Sequence, residues 1–269
     1  MKIIKHDLGS EFNEIEIIPL GDWHRGNKKS RLDTIQKKID YILNTSNAYC
    51  VLLGDLLECI IKDNKGDPNT QYLTPQEQLY EVVELLKPIR HKILGITTGN
   101  HEERIYKVTS FDISYDLAKH LDLLDYYDKT ALYIFVSFGK NNRRENKRHT
   151  LRIYAKHNAS GSLKMGSTVR VLEDMANIVD ADIYLGAHTH TPMAFVKPYK
   201  IGFVRSKTIK KRTKAFANGG ADLDYVEYAE TKSYEPKCIA FVSIVVKIQD
   251  NSGKKSDDVI MSTKLEVMY

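Results

Sequence analysis

The stretch Asn13-Glu14-Ile15-Glu16-Ile17-Ile18-Pro19-Leu20-Gly21-Asp22-Trp23-His24 alternates polar and apolar residues and then becomes apolar. This pattern predicts a β-strand over residues 13–20. Asp22 and His24 then follow the carboxyl end of the strand, where the binding sites of α/β proteins form. A carboxylate and an imidazole in that position are candidate ligands for a divalent metal ion.

The same arrangement recurs farther along the chain. Apolar runs over residues 49–53, 92–97, 150–155 and 182–185 predict further strands, and each is followed by side chains that can bind a metal ion. These side chains are Asp55, Asn100, His101, His157, His188 and His190. One such residue alone is weak evidence, because an isolated Gly-Asp is an ordinary turn and a histidine after a strand is more often structural. The recurrence of such residues after five predicted strands predicts a shared site.

Between and beyond these strands, the periodicity changes along the chain from helical to β-type. Apolar residues at helical spacing predict helices over residues 31–43, 75–86, 113–124 and 163–179. Additional strands are predicted over residues 131–138, 193–196, 201–204, 225–228 and 239–248. Because no internal repeat and no linker rich in Pro, Gly or Ser interrupts the chain, the sequence indicates a single α/β domain over residues 1–269 with two sheets.

The ligand types indicate one kind of chemistry. The set contains carboxylate, imidazole and amide oxygen but no thiolate, which suits Mn²⁺, Fe²⁺ or Zn²⁺. Two such ions about 3.5–4 Å apart need a shared carboxylate, and together they stabilise the attacking and leaving oxygens of an in-line displacement. They also lower the pKa of a bound water, so that hydroxide is available at neutral pH.

The ordered pattern resembles the signature of the calcineurin-like metallophosphoesterases. Its parts are Asp22-x-His24, Gly54-Asp55, Gly99-Asn100-His101-Glu102, His157 and Gly186-x-His188-x-His190. The resemblance covers about residues 15–190 and implies two mixed β-sheets packed as a sandwich and flanked by helices, with residues 191–269 completing the second sheet. It also implies two divalent metal ions as cofactors, with Mn²⁺ as the first choice and Fe²⁺, Zn²⁺ or Ni²⁺ as alternatives.

The resemblance assigns these side chains to two ligand sets that share one bridging carboxylate. The sets are Asp22, His24 and His190 for one ion and Asn100, His157 and His188 for the other, with Asp55 bridging. His101 occupies the family's catalytic position, where a histidine contacts the phosphoryl group and protonates the leaving oxygen; an imidazole suits this task because its pKa lies near working pH. Glu58 stands where related phosphatases have a carboxylate that orients this histidine. A surface glutamate at the start of a helix is the alternative for Glu58.

One departure from the family pattern concerns the contact with phosphate. Protein Ser/Thr phosphatases of this superfamily have Asp-Arg-Gly after the second motif, whereas this chain has Leu56-Leu57-Glu58-Cys59-Ile60. Arg25 and Arg104 flank the first and third motifs and are candidates for substrate binding, because guanidinium groups match phosphate oxygens. For Arg104, a plain position on a helix surface is an equal alternative.

The final Gly-x-His-x-His resembles the phosphodiesterase and nuclease branches of the family. The resemblance therefore favours a metal-dependent phosphodiesterase that acts on a nucleotide or a nucleic acid, DNA or RNA, through a water activated by two metal ions. A phosphomonoesterase is the enzymatic alternative. A non-catalytic binding protein that keeps the fold as a scaffold is less favoured, because this chain retains the whole set of ligands.

Positive charge is concentrated in two segments, although the net charge is only +5. The first segment contains Lys140, Arg143, Arg144, Lys147 and Arg148, and the second contains Arg205, Lys207, Lys210, Lys211, Arg212 and Lys214. Both segments are expected between strands. A solvated loop is the default explanation of such a segment, and a positive surface for a nucleic-acid backbone is the functional one.

Composition also bears on the compartment. The cysteines Cys50, Cys59 and Cys238 are odd in number and show no C-x-x-C spacing, which predicts reduced thiols in the cytoplasm. No stretch of about 18 apolar residues is present, so neither a membrane span nor a membrane partner is expected. The N-terminus lacks the apolar segment of a secretory signal.

Overall fold

The computed structural model of the chain describes residues 1–62, 70–140, 148–158, 164–203, 207–224, 236–249 and 258–269. The helices are α1 (Leu32–Asn44), α2 (Pro75–Leu86), α3 (Asn100–Thr109), α4 (Ile113–His120) and α5 (Met165–Met175). The strands are β1 (Lys2–Asp7), β2 (Glu14–Leu20), β3 (Ala48–Leu52), β4 (Ile93–Ile96), β5 (Leu132–Phe138), β6 (His149–Ala155), β7 (Ile183–Gly186), β8 (Met193–Phe203), β9 (Thr208–Asn218), β10 (Ile239–Gln249) and β11 (Asp258–Met268). Short 3₁₀ helices lie at Lys87–Lys92 and Leu124–Tyr126.

The strands form two mixed sheets. One has six strands in the order β1-β5-β6-β7-β9-β8, and the other has five in the order β11-β10-β2-β3-β4. Strand β2 is parallel to β3 and antiparallel to β10, while β6 is antiparallel to β5 and parallel to β7. The expected α/β fold with two mixed sheets and helices is therefore confirmed. The late strands are divided between the sheets, however, because β8 and β9 join one sheet and β10 and β11 join the other.

Strand β3 illustrates why the predicted strands are apolar throughout. Val51 and Leu53 belong to the core between the sheets, where Ile134 of the six-stranded sheet is also buried. Cys50 and Leu52 belong to a second core, which includes residues of α1, α2 and α4. Because side chains alternate between the faces of a strand, a strand covered on both faces is apolar without interruption. A third apolar cluster joins α5 to the six-stranded sheet.

Helix α3 was not predicted from periodicity, although it begins within the site motif. Glu102 and Ile105 are its only buried residues, so it has almost no apolar stripe. The helix start is instead stabilised by Glu102, whose carboxylate accepts a hydrogen bond of 3.1 Å from the backbone N–H of Gly99. This start places Asn100 and His101 in the first turn of the helix.

The second basic segment was expected to be a loop between strands, and this expectation is wrong for most of it. Residues 208–214 lie in β9, which pairs with β8 from end to end. The two strands predicted over 193–196 and 201–204 are one strand that passes through Pro198. A proline is tolerated there because β8 is at the edge of its sheet, where one face of the backbone needs no partner.

Several expectations fall outside the described residues. These are the strand predicted over residues 225–228 and the positions of Arg143, Arg144, Lys147 and Arg205. The edge strands β1 and β11 were missed, because both mix charged and apolar residues without a continuous apolar run. Within the described ranges, no helix has the length and apolar character needed to cross a bilayer.

Candidate metal centre

The side chains that follow the predicted strands converge from both sheets. Asp22, Asp55 and Asn100 follow β2, β3 and β4 of the five-stranded sheet, whereas His157 and His188 follow β6 and β7 of the six-stranded sheet. His157 Nε2 lies 3.0 Å from Asn100 Oδ1, which joins the two groups. The carboxyl ends of these strands therefore line one crevice, as expected for an α/β protein.

Several of these residues have a left-handed backbone conformation. The φ angles are 52° at Asp22, 49° at His24, 50° at Asp55, 80° at His188 and 54° at His190. Non-glycine residues adopt this region uncommonly, and strained backbone of this kind costs of order 1–3 kcal/mol per residue. Such conformations persist where the surrounding structure holds them, and they cluster at binding and catalytic sites.

Two glycines allow the loops after β3 and β4 to touch. Gly54 has a φ of +81°, and a Cβ atom at this position would clash with the backbone nitrogen of Gly99. A Cβ atom at Gly99 would in turn clash with the Oδ1 atom of Asp55. The close approach that brings Asp55 beside Asn100 therefore requires glycine at both positions.

The first group of candidate ligands consists of Asp22, His24 and His190. The Nε2 atoms of His24 and His190 face each other at 3.2 Å, and His190 Nε2 lies 3.7 Å from Asp22 Oδ1. Asp22 Oδ1 is buried and has no hydrogen-bond partner within the described part of the chain. Two imidazole nitrogens and an orphaned carboxylate oxygen in this arrangement fit a metal cation, because a cation accepts a lone pair from each.

The second group consists of Asp55, His157 and His188, with Asn100 alongside. His157 Nε2 lies 3.1 Å from His188 Nδ1 and 3.5 Å from Asp55 Oδ2. The Nδ1 atom of His157 lies 2.8 Å from the carbonyl oxygen of Leu53. Since a carbonyl only accepts hydrogen bonds, Nδ1 carries the proton and Nε2 presents its lone pair to the centre, which is how metal-binding histidines are usually held.

The charge of Asp55 affects the pKa of histidines in both groups of candidate ligands. Its charge raises the pKa of His157 against the lowering effect of burial, and it acts in the same direction on His24 and His190. Burial would raise the pKa of Asp55 itself, but the neighbouring His157, His101 and His24 hold that pKa well below its ordinary value. An ionised carboxylate between two groups of ligands has the position that a bridging ligand needs.

The pKa values of the other titratable residues in the centre are shifted in opposite directions. Burial raises the pKa of Asp22 to about 7. Burial would lower the pKa of His24, but the hydrogen bond and the charge of Glu58 raise it to about 9. Burial, aided by the charge of His24, lowers the pKa of His190 well below its ordinary value. Opposed shifts within one crevice are typical of functional sites, and bound cations would offset the cost of burying the carboxylates.

His101 lies beside the two groups. Its Nδ1 atom is 2.9 Å from the backbone carbonyl of Glu58, and its Nε2 atom is 2.9 Å from Arg104 Nη2. The carbonyl accepts from Nδ1, so Nε2 accepts from the guanidinium of Arg104. Burial lowers the pKa of His101 to about 4, with the charge of Asp55 opposing that shift, so the imidazole is neutral near pH 7 in the free protein. Arg104 therefore lies against the centre, in contact with the candidate catalytic histidine.

Glu58 is in the crevice, but its contacts differ from those expected. Its carboxylate lies 3.2 Å from His24 Nδ1 and 3.7 Å from His101 Nδ1. The side chain is nearer to the candidate ligand His24, and the backbone carbonyl of Glu58 makes the shorter contact with His101. The alternative of a surface glutamate at a helix start is wrong, because Glu58 is buried and lies in the irregular stretch that follows β3.

The guanidinium of Arg25 is hydrogen-bonded to other residues of the protein. Its Nη2 and Nε atoms donate to the two carboxylate oxygens of Glu81 at 2.6 and 3.1 Å. Nη2 also donates to Tyr72 Oη at 2.6 Å, and Nη1 donates to Ser30 Oγ at 3.0 Å. The residue is only 2 % exposed. These contacts correct the expectation that Arg25 binds the phosphate, because its donors already have partners.

Two residues to which the sequence pattern assigned no role, Glu102 and Asp222, hold the loops of the site in place. Glu102 accepts hydrogen bonds from the backbone N–H groups of Asp55, Leu57 and Gly99 at 2.9, 3.0 and 3.1 Å. An acidic residue three positions after Gly99 is a capping pattern that marks such a residue in a sequence. Asp222, whose backbone N–H donates to Asp22 O at 3.1 Å, is held by a buried ion pair of 2.8 Å with Lys38.

Comparison with known proteins adds a family match. The model of the calcineurin-like phosphoesterase family matches residues 15–192. No curated protein sequence matches the chain. The matched span contains the two candidate ligand groups, His101, Glu58 and Arg104.

Solved structures similar to this chain are remote in sequence. A conserved protein from Streptococcus pneumoniae TIGR4, described as a predicted phosphoesterase, shares 12 % identity over 95 % of this chain and 98 % of its own, with a TM-score of 0.38. A metallophosphoesterase from Sphaerobacter thermophilus shares 13 % identity over 95 % and 89 %, with a TM-score of 0.35. Vps29 from Entamoeba histolytica, in complex with Zn²⁺, shares 12 % identity over 93 % and 99 %, with a TM-score of 0.38.

Proposed function

Because the chain belongs to the calcineurin-like phosphoesterase family, we propose that it is a dinuclear phosphodiesterase that acts on a nucleotide or a nucleic acid. Metal-dependent hydrolysis of phosphate esters is the activity of the family. The observation that supports a catalytic two-metal site is the convergence of two groups of candidate ligands on either side of Asp55, with His101 and Arg104 adjacent. Binding proteins that only keep the fold have no need for this complete set.

The two ions would be held by the groups already described. Asp22, His24 and His190 would hold one ion, and Asn100, His157 and His188 the other, with Asp55 shared. When bound, divalent ions supply Lewis-acid charge that lowers the pKa of a water and offsets charge on phosphoryl oxygens. Mn²⁺ is the first ion to test, and Fe²⁺, Zn²⁺ and Ni²⁺ are the alternatives.

The protein's own contribution to the chemistry centres on His101 and Arg104. The Nδ1 atom of His101 is held by the Glu58 carbonyl, so Nε2 is the atom directed at the substrate. An anionic phosphoryl group beside Nε2 would raise the pKa of the imidazole, which would then carry the proton that the leaving oxygen needs. Protonation of Nε2 would break the hydrogen bond that Arg104 donates to it at 2.9 Å, and the released guanidinium would contact a phosphoryl oxygen.

The preference for a diester over a monoester rests on the final Gly186-x-His188-x-His190, which resembles the phosphodiesterase and nuclease branches of the family. Arg25 is already neutralised by Glu81, so Arg104 is the guanidinium that the described part of the chain offers at His101. Phosphomonoester hydrolysis is the second candidate.

Paired chromogenic substrates test the proposal. With Mn²⁺-loaded protein, bis(4-nitrophenyl) phosphate should be hydrolysed with a higher kcat/KM than 4-nitrophenyl phosphate. A higher value for the monoester would replace the phosphodiesterase with a phosphomonoesterase. Absence of turnover on both esters by protein that has bound Mn²⁺ would favour a scaffold.

We also propose a cytoplasmic location and a single domain. Cys50, Cys59 and Cys238 are free thiols, which supports a reducing compartment. A core shared by strands from both halves of the chain supports the single domain.

A further inference from the structure

The charged residues of the hairpin formed by β8 and β9 are all positive. Residues 183–221 contain eight Lys or Arg residues and no Asp or Glu. They are Lys197, Lys200, Arg205, Lys207, Lys210, Lys211, Arg212 and Lys214. We call the paired strands Met193–Phe203 and Thr208–Asn218 the basic hairpin. A chain of this composition has no internal charge to neutralise it and attracts anions.

The surroundings neutralise only part of this charge. Lys197 pairs with Glu173 at 2.7 Å, and Lys214 pairs with Asp180 at 2.9 Å. Among the described residues, no ion pair involves Lys200, Lys211 or Arg212. By strand register, Arg212 shares a face with Tyr199, whereas Lys200 and Lys211 lie on the opposite face. Arg212 is therefore the cation of the Tyr199 face that has no ion pair among the described residues.

The strand register places positive charges directly opposite each other in the hairpin. Lys197 lies directly opposite Lys214, and Lys200 lies directly opposite Lys211. Like charges in directly opposed positions destabilise a strand pair. Glu173 and Asp180 compensate the first pair, whereas no described carboxylate forms an ion pair with the second.

Aromatic rings alternate with these cations on one face of the hairpin. Opposed residues share a face, and successive rows on this face are Phe195 with Phe216, Lys197 with Lys214, and Tyr199 with Arg212. Phe216 stacks on Phe195 at 4.9 Å with an interplanar angle of 10°. Lys214 Nζ lies 4.8 Å from the centre of the Tyr199 ring. Cations interleaved with aromatic rings are the features that bind the backbone and the bases of single-stranded nucleic acid.

A cavity opens on the same face. Its volume is about 400 Å³, and it lies between the end of α5 and the rows of Lys197 and Tyr199. Tyr199 Oη is buried and lacks a hydrogen-bond partner within the described residues. The carboxylates of Glu173 and Asp174 also line the cavity. A phosphate would be repelled by these carboxylates, whereas the amino groups and flat ring of a base would find acceptors and an aromatic wall.

The cavity has a defined position relative to the metal centre. Asn218, at the end of β9, donates to Ala187 O at 3.3 Å and to Thr189 Oγ1 at 3.0 Å, beside the candidate ligands His188 and His190. Lys214 precedes Asn218 by four positions, about 13 Å along a strand. A chain of a few nucleotides is long enough to span this distance, whereas a mononucleotide is not.

We propose that this face of the basic hairpin binds single-stranded nucleic acid, with one base in the cavity against Tyr199 and neighbouring phosphates on Arg212 and the flanking lysines. The strand must be single, because a paired base has no free face and edge to present to the cavity. Delivery of the strand to the metal centre rests on the proposed function, whereas binding does not.

The test is therefore made without metal. Fluorescence anisotropy in EDTA would measure the binding of labelled single-stranded DNA and RNA of about 12 nucleotides, a length within the range of known sites, and of the corresponding duplex. The variants are Tyr199→Leu, Tyr199→Phe and the double variant K197E/R212E, whose two positions lie on the Tyr199 face. The matched control is K37E/K119E, which reverses two exposed lysines on α1 and α4. Thermal melting checks that each variant is folded.

The wild-type protein should bind single strands more tightly than the duplex. K197E/R212E should weaken binding at least about tenfold and reduce the salt slope by about 1.4, from two lost phosphate contacts at about 0.7 each. Tyr199→Leu should weaken binding about fivefold or more, and Tyr199→Phe should retain it because the ring is kept. The control should bind as the wild type does. Equal binding by K197E/R212E and the control, or tighter binding of the duplex, would overturn the proposal, whichever ester the metal centre hydrolyses.

Discussion

At the residue scale, the two oxygens of Asp55 have separate partners. Oδ1 accepts a hydrogen bond of 2.8 Å from the backbone N–H of His101, which fixes the start of α3. Oδ2 lies 3.5 Å from His157 Nε2, among the candidate ligands. An asparagine keeps an oxygen for the first contact but lacks the negative charge that holds two cations close together. Substitution therefore separates the structural contact from the metal-binding one.

We expect Asp55→Asn to fold but to bind fewer than two metal ions and to lose at least about 100-fold in activity, since even indirect ligand partners contribute 10–100-fold. Metal content after saturation with Mn²⁺, together with kcat on the chromogenic diester, measures this. Asp33→Asn, on the exposed surface of α1, is the matched control. Two bound ions and wild-type turnover in Asp55→Asn would refute the bridging role.

Substitution of His101 should have a different effect from substitution of Asp55, because His101 lies against the candidate ligands without belonging to either group. His101→Ala should keep the wild-type metal content and lower kcat about 10²–10⁴-fold, the usual contribution of general acid–base catalysis. The loss should be smaller for esters with acidic leaving groups, which need little protonation. A series of aryl phosphodiesters with different leaving-group pKa values measures this. A loss of the same size across the series would instead indicate phosphate binding or positioning.

At the scale of elements, the start of α3 and the loop after β3 form one unit. Glu102 links them, because its carboxylate accepts from backbone N–H groups in both. The residue is 3 % exposed, so these donors have no access to water. Burial, together with the charge of Asp55, raises the pKa of Glu102 to about 7. Removing the carboxylate leaves three buried donors without their acceptor.

Glu102→Ala should therefore lower the free energy of unfolding by at least about 2 kcal/mol, since each unsatisfied buried donor costs about 1–3 kcal/mol. It should also weaken metal binding, because Asp55 and Asn100 lie in the two segments that Glu102 joins. Urea unfolding and Mn²⁺ titration measure the two effects. The control is Glu103→Ala, which removes the next acidic residue; among the described residues, its carboxylate pairs with Lys107 on the helix surface. Equal stability of the two variants would show that other contacts hold the loops.

At the scale of the whole molecule, the centre is built from both sheets. Asp22, Asp55 and Asn100 follow strands of one sheet, and His157 and His188 follow strands of the other. An ion bound between them would connect the two layers of the sandwich. Because the unfolded chain does not bring these residues together, metal binding should stabilise the folded state.

Removal of metal tests this coupling. At a free Mn²⁺ concentration of about 100 times Kd, the free energy of unfolding should rise by about 2.7 kcal/mol per independent site relative to protein in EDTA. Thermal and urea unfolding with and without Mn²⁺ measure the increase. In His157→Ala, which removes one candidate ligand, the increase should be smaller. The same stability in Mn²⁺ and in EDTA would contradict the metal centre itself.

The sequence by itself determined the features that depend on local pattern. Continuous apolar runs such as residues 49–53 predict buried strands, because both faces of the strand are covered. The candidate ligands Asp55, Asn100 and His157 were also evident, since each stands within three residues of the end of such a run. Strand ends converge in this class of fold, so local pattern was sufficient to group residues from distant parts of the chain.

Only the tertiary structure decided which partners the charged side chains have. Arg25 is next to a motif in sequence but pairs with Glu81, and Glu58 contacts His24 more closely than its expected partner His101. The basic residues of β9 form part of a sheet, because pairing with β8 overrides the loop-like composition. Such contacts join residues far apart in the chain, and long charged side chains reach partners that neither periodicity nor spacing reveals. Their partners follow from how the layers pack, which is a property of the whole fold.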